Sequence, residues 1–162
     1  MGLCKVLRLL MKHALLKMIR AELRQRLERL SKAAFEAHAA ATDPGSKAEG
    51  KYDTRSLEAS YLAAGQARQV DELAEAVRIF ETLKLPDFTI EDAIDAGALV
   101  EVDMDDEAAF FLLAPAAGGL VIDYQGLEIT LLTPASGLYR KLLGMRLGET
   151  LQGPALRVTE VS

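Results

Sequence analysis

A chain of 162 residues with a formal net charge of −5 and 6% aromatics is one ordinary domain or two small ones. Its single cysteine, Cys4, excludes an internal disulfide and a metal site built on cysteines alone, and fits a reducing compartment. Charge is unevenly laid out, at +6 over residues 1–42, −2 over 43–84 and −9 over 85–162, and so acidic a C-terminal half argues against a free-standing DNA binder.

At the start of the chain, Lys5, Arg8, Lys12, Lys17 and Arg20 interrupt every apolar run, so neither a secretory leader nor a membrane span is expected. Met1-Gly2-Leu3-Cys4 is a poor acylation signal, because Val6 stands where Ser or Thr is needed. Leu9, Leu16, Leu23 and Leu30 recur every seven residues, with Leu27, Ala34, Ala37 and Ala41 between them. The rhythm resumes at Ala59, Ala63, Gln66, Val70, Leu73, Val77 and Phe80. This predicts two helices, about residues 3–42 and from near Ser56 to before Leu85-Pro86, folded back as an antiparallel hairpin. Pro44 and Gly45 end the first helix, and Thr54 or Ser56 caps the second, with Glu58 in its first turn. Leu85 is pushed out of the helical region by the proline that follows. Bulky seam residues at the base give way to alanines near the far end, which predicts a slender tip.

After Pro86 the period changes. Strands are expected at 98–103 and 109–114 around the acidic turn Asp103–Glu107, at 120–124 and 127–132 around Gln125-Gly126, and at 156–161. Between the last two, Ser136 caps a short helix through Leu143 that Gly144 closes. Residues 90–94 read as one helical turn or a loop. The fold class is α+β: a coiled-coil hairpin over residues 1–85, with its tip at about 42–55, then a mainly antiparallel sheet with one short helix over 86–162.

Little in this chain supports catalysis of its own. His13 and His38 lie about 38 Å apart on one helix, too far to share a site, and neither a nucleophile motif nor a phosphate loop is present. Asp103, Asp105, Asp106 and Glu107 lack the glycine and final glutamate of a calcium loop, and read as a turn. The hairpin tip is different. Asp43, Glu49 and Asp53 stand among Lys47, Lys51 and Arg55 at the end of a long lever. Carboxylates so placed could lend ligands to a hard cation such as Mg²⁺, which keeps its other positions for water and phosphate.

Two stretches resemble the GreA/GreB family of bacterial transcript-cleavage factors. Residues 47–52, Lys-Ala-Glu-Gly-Lys-Tyr, and 57–61, Leu-Glu-Ala-Ser-Tyr, are similar to the family's tip and the start of its second helix. Ser136-Gly137-Leu138-Tyr139-Arg140-Lys141-Leu142-Leu143-Gly144-Met145-Arg146-Leu147-Gly148-Glu149 resembles its C-terminal motif, Ser-Pro-Leu-x-Arg-x-Leu-Leu-Gly-Lys-x-x-Gly-Asp. The resemblance covers nearly the whole chain and implies a C-terminal domain of FKBP-like fold. It also implies a cytoplasmic bacterial protein whose partner is core RNA polymerase, with indirect contact to nascent RNA. The C-terminal domain would dock beside the polymerase's secondary channel, with Ser136, Leu138, Arg140, Leu143, Gly144 and Arg146 as candidate docking residues. The coil would enter the channel, with contacts from Lys47, Lys51, Tyr52 and Arg55. Acidic tip residues would help the polymerase hold a second Mg²⁺ for hydrolysis of backtracked RNA. The factor is then an accessory with no cofactor or stably bound metal of its own.

The chain departs from the family's pattern in places. Anchored on Tyr52, the two functional tip acids of the family fall on Gly45 and Ala48. Gly137 replaces the usual proline, and Met145 the usual lysine. Asp43, Glu49 and Asp53 could serve only from a shifted loop, so a channel-occupying regulator without cleavage activity stands beside the cleavage factor. A coiled-coil interaction protein unrelated to polymerase is the reading from another class. A prolyl isomerase has little support, for want of aromatics and any tryptophan to line a proline pocket.

Overall fold

The computed structural model describes residues 2–42 and 55–162. Two long helices, α1 (Gly2–Thr42) and α2 (Arg55–Thr82), form the expected hairpin, and a six-stranded sheet with one short helix follows. The expected boundary at 85/86 separates helix from sheet along the chain. The compact units divide differently: one comprises Arg20–Arg78, and the other joins Met1–Ile19 to Ile79–Ser162.

In the helical unit the seven-residue rhythm becomes a seam. Leu23 is buried, and Leu27, Leu30, Ala34 and Ala37 of α1 are half-buried. On α2, Ala76 is buried while Ala63, Gln66, Val70, Leu73 and Val77 are half-buried. Gln66 is the polar member of this stripe, and its Oε1 is buried without a hydrogen-bond partner, an arrangement that costs stability. Charged side chains pair along the outer faces, as in Arg26 with Glu22 at 2.6 Å and Arg78 with Glu75 at 2.7 Å. Such exposed pairs contribute only a few tenths of a kcal/mol each.

The other unit is built on strands β1 (Leu99–Met104), β2 (Glu107–Leu113), β3 (Val121–Tyr124), β4 (Leu127–Leu132), β5 (Thr150–Gln152) and β6 (Ala155–Val161), with α3 (Gly137–Leu142) between β4 and β5. Their order in the sheet is β3-β4-β2-β1-β6-β5. Two tight hairpins turn on residues in the left-handed region: Asp105 and Asp106 at φ 55° and 65°, and Gln125 and Gly126 at φ 55° and 84°. Two successive positive φ values give the turn that matches strand twist. The acidic stretch at 103–107 is thus a hairpin turn, and among the described residues no cluster of His, Cys, Asp and Glu could hold a metal ion.

Two features go beyond the expected sheet. β4 lies parallel to β2 while every other pair is antiparallel. Residues 114–120 carry the chain past the place beside β2, so β3 becomes an edge and β4 returns between them. β5 was not expected, since three residues between Gly148 and Gly153 are too few to show an alternating pattern. Residues 90–94 form a turn and not a helix.

On one face of the sheet Val100, Val102, Leu113, Leu132, Leu156, Val158 and Val161 form a core with Ile94 and with Tyr139, Leu142 and Met145 from α3 and the residues after it. Alternation sends Leu112, Ile129 and Leu131 to the opposite face, where they are also fully buried. The helical stubs within this unit add buried Leu15, Leu16, Ile19 and Phe80. Among the described residues no helix is long and apolar enough to cross a membrane.

Candidate functional site

The stretch from Ser136 to Glu149 combines a buried anchor with an exposed outer side. Ser136 occupies the N-cap of α3, but its hydroxyl makes no capping bond. The expected cap is therefore positional only, and the turn is held instead by the Ser136 N–H donating to the Thr133 carbonyl at 2.8 Å. With six residues, α3 has little stability of its own. Tyr139, Leu142 and Met145 secure it by entering the sheet's core, and Leu138 packs half-buried beside them.

Gly144, at φ 81°, ends the helix as expected and reverses the chain. Its N–H donates to the Ile94 carbonyl at 2.8 Å, and the Ile94 N–H donates to the Met145 carbonyl at 2.8 Å. This two-way clamp joins the end of α3 to residues 89–97. Arg146 strengthens the same junction. Its guanidinium donates to the Glu91 carbonyl, and its N–H to the Glu149 carboxylate at 2.9 Å. In the neighbouring turn Asp92 accepts from the Thr89 N–H at 2.7 Å and hydroxyl at 2.8 Å. Those bonds hold the Asp92 carboxyl below its usual range, with Arg146 a lesser influence.

The outer side is apolar and basic together. Leu143 and Leu147 are 39% and 41% exposed, and Arg140, Lys141 and Arg146 are exposed among them. Ile90, 61% exposed, stands on the turn that Arg146 ties down. Of the expected docking residues, Arg140, Leu143, Gly144 and Arg146 thus lie on the surface, Ser136 and Leu138 are half-buried, and all belong to one clamped segment. Ile90 and Leu147 were missed, because their exposure depends on which neighbours the fold leaves uncovered. Lys141 extends instead to the Gly153 carbonyl.

Met145, which departs from the family's lysine, is 8% exposed and belongs to the core.

Lys12 was also missed as a structural residue. Only 3% exposed, it donates from Nζ to the Pro86 carbonyl at 2.6 Å and lies 5.0 Å from the centre of the Phe88 ring. Burial lowers its pKa to about 8, against the opposing pull of Asp87. In the sequence it reads as one more charge interrupting an apolar run.

The expected tip residues Asp43, Lys47, Glu49, Lys51, Tyr52 and Asp53 lie outside the described residues. Arg55 opens α2, and its side chain is likewise outside the description.

No protein-family model matches the sequence, and no curated protein matches it. Among solved structures the chain is similar to GreA factor homolog 1 (Gfh1) of Thermus thermophilus, with 22% identity over 88% of this chain and 94% of that one, at a TM-score of 0.36. A second structure of the transcription factor Gfh1 gives 22% identity over 90% and 94%, at 0.37. Thermus aquaticus Gfh1 gives 19% over 87% and 92%, at 0.35. Identities of 19–22% with such scores say nothing of what this chain binds.

Proposed function

We propose that this protein is an RNA polymerase-binding transcription elongation factor of the Gre type, docking through the surface of residues 136–149. The observation that carries the reading is the form this motif takes. Its paired leucines divide between core (Leu142) and surface (Leu143), and two of its three glycines, Gly144 and Gly148 at φ 81° and 83°, sit where L side chains are strained. Exposed Leu143 and Leu147 with Arg140 and Arg146 near them in the segment have the composition of a protein-docking site, apolar contact with arginine anchors. The helical hairpin supplies the lever that such a factor needs.

In this reading the protein has no active site of its own. Asp43, Glu49 and Asp53 act at the hairpin tip, either helping the polymerase position Mg²⁺ for cleavage of backtracked RNA or merely occupying the channel. Retention on immobilised core RNA polymerase at moderate salt tests the reading, and absence of binding would end it. A stalled, backtracked complex then separates the two modes. Stimulated cleavage that Glu49→Ala and Asp53→Ala each abolish supports the cleavage factor. Binding with slowed elongation and no cleavage supports the channel-occupying regulator.

A further inference from the structure

Among the described residues of the helical unit, all the large apolar side chains left exposed lie in one short stretch. They are Phe35 of α1 at 74% exposure, and Tyr61 and Leu62 of α2 at 72% and 62%. Phe35 stands seven residues before the end of α1, and Leu62 seven after the start of α2. At a rise of about 1.5 Å per residue, all three lie roughly 10 Å from the helix ends.

Their directions follow from the seam. Leu27, Leu30, Ala34 and Ala37 mark the inward side of α1, and Ala63, Gln66, Val70, Leu73 and Val77 that of α2. At about 100° per residue, Phe35 points roughly 120° away from its seam, Leu62 roughly 60° and Tyr61 roughly 160°. In an antiparallel hairpin these offsets place Phe35 on one side of the pair, and Tyr61 and Leu62 together on the other. They face both sides and do not form one patch.

That geometry selects the occupant. A second copy of this chain, or any flat partner, would cover one side of the hairpin and leave at least one of the three in water. The exposed area is roughly 400 Å² in all, about half of what each side of a stable pair buries, so it would not hold a dimer by itself. A partner that encloses the hairpin covers all three at once. We infer that Phe35, Tyr61 and Leu62 are apolar anchors that seat the hairpin inside an enclosing cleft of RNA polymerase with partly apolar walls. This rests on the elongation-factor reading above and adds the surface by which the lever is held.

The full-length chain tests it in two ways. In the first, Phe35→Ser, Tyr61→Ser and Leu62→Ser are combined, and affinity for core RNA polymerase is measured beside thermal unfolding. The expected result is an affinity loss of about a hundredfold or more with unchanged unfolding, since three such anchors at upwards of 1 kcal/mol each total about 3 kcal/mol. Unchanged affinity overturns the inference. In the second, Phe35, Tyr61 and Leu62 are each replaced, one per variant, by the photocrosslinker p-benzoylphenylalanine. Enclosure predicts cross-links to polymerase from all three positions. Cross-links from one position only, or between two copies of this chain, overturn it. Failure of the wild-type chain to bind polymerase at all is a separate result that removes the elongation-factor reading, and the inference with it.

Discussion

Lys12 of α1 and Pro86, just beyond α2, are joined by a hydrogen bond of 2.6 Å from a buried ammonium to a backbone carbonyl. The bond ties two segments 74 residues apart, at the cost of keeping a lysine out of water. Because burial lowers its pKa from 10.5 to about 8, the unfolded chain holds this proton more tightly than the folded one between those values. Stability therefore rises with pH across that window. The stability of wild type relative to Lys12→Met should increase by about 2 kcal/mol between pH 7.5 and pH 10, measured by urea denaturation. A difference independent of pH would show that Lys12 is not buried as described.

Gly97 and Gly144 share a left-handed backbone but differ in surroundings. A Cβ on Gly97, at φ 87°, would stand 2.5 Å from Cδ of Pro86, whereas one on Gly144 meets nothing within 4 Å. Gly144→Ala should cost only the backbone strain, about 1 kcal/mol. Gly97→Ala adds a clash with a rigid ring and should cost about 2–4 kcal/mol. Denaturant midpoints for the two variants, read at a common slope, decide this.

Leu142 and Leu143 are adjacent in sequence and opposite in role. Leu142→Ala empties a fully buried position and should cost about 2–5 kcal/mol of stability. Leu143→Ser should change stability by less than about 0.5 kcal/mol while weakening polymerase binding severalfold. A Leu143→Ser variant as unstable as Leu142→Ala would contradict the assignment of the outer side.

Arg146→Ala removes the guanidinium that holds the Glu91 carbonyl, but leaves the clamp between Ile94 and residues 144–145. The turn at 89–92 should then exchange its amide hydrogens faster, by roughly threefold to tenfold for a loss near 1 kcal/mol, with little change in global stability. Hydrogen exchange localised to that turn is the measurement. Uniform exchange across the sheet would instead mean that Arg146 supports the whole fold.

Local chemistry made much of this architecture legible. The seven-residue spacing of Leu16, Leu23 and Leu30 has the period of a packed helix, and Pro86 stops the pattern. Gln125-Gly126 accepts the positive φ values of a tight hairpin, and Gly144 those of a helix end. Each of these signals acts within a few residues, so each survives in the sequence. The parallel pairing of β2 with β4 does not, because the chain from 114 to 120 determines it only by where it lands. Neither does the fate of Met145 and Leu143, two positions apart on one segment, one in the core and the other in water.

Sequence alone therefore determined the hairpin, most of the strands, the short helix and the segment that resembles a docking motif. Only the tertiary structure decided which side of that segment faces outward, that Lys12 is buried against Pro86 and Phe88, and that Phe35, Tyr61 and Leu62 stay exposed on the hairpin. Burial is a property of what comes to lie beside a residue, and for these the neighbours are tens of residues away. A period tells which residues share a face, and only the folded chain tells which faces are covered.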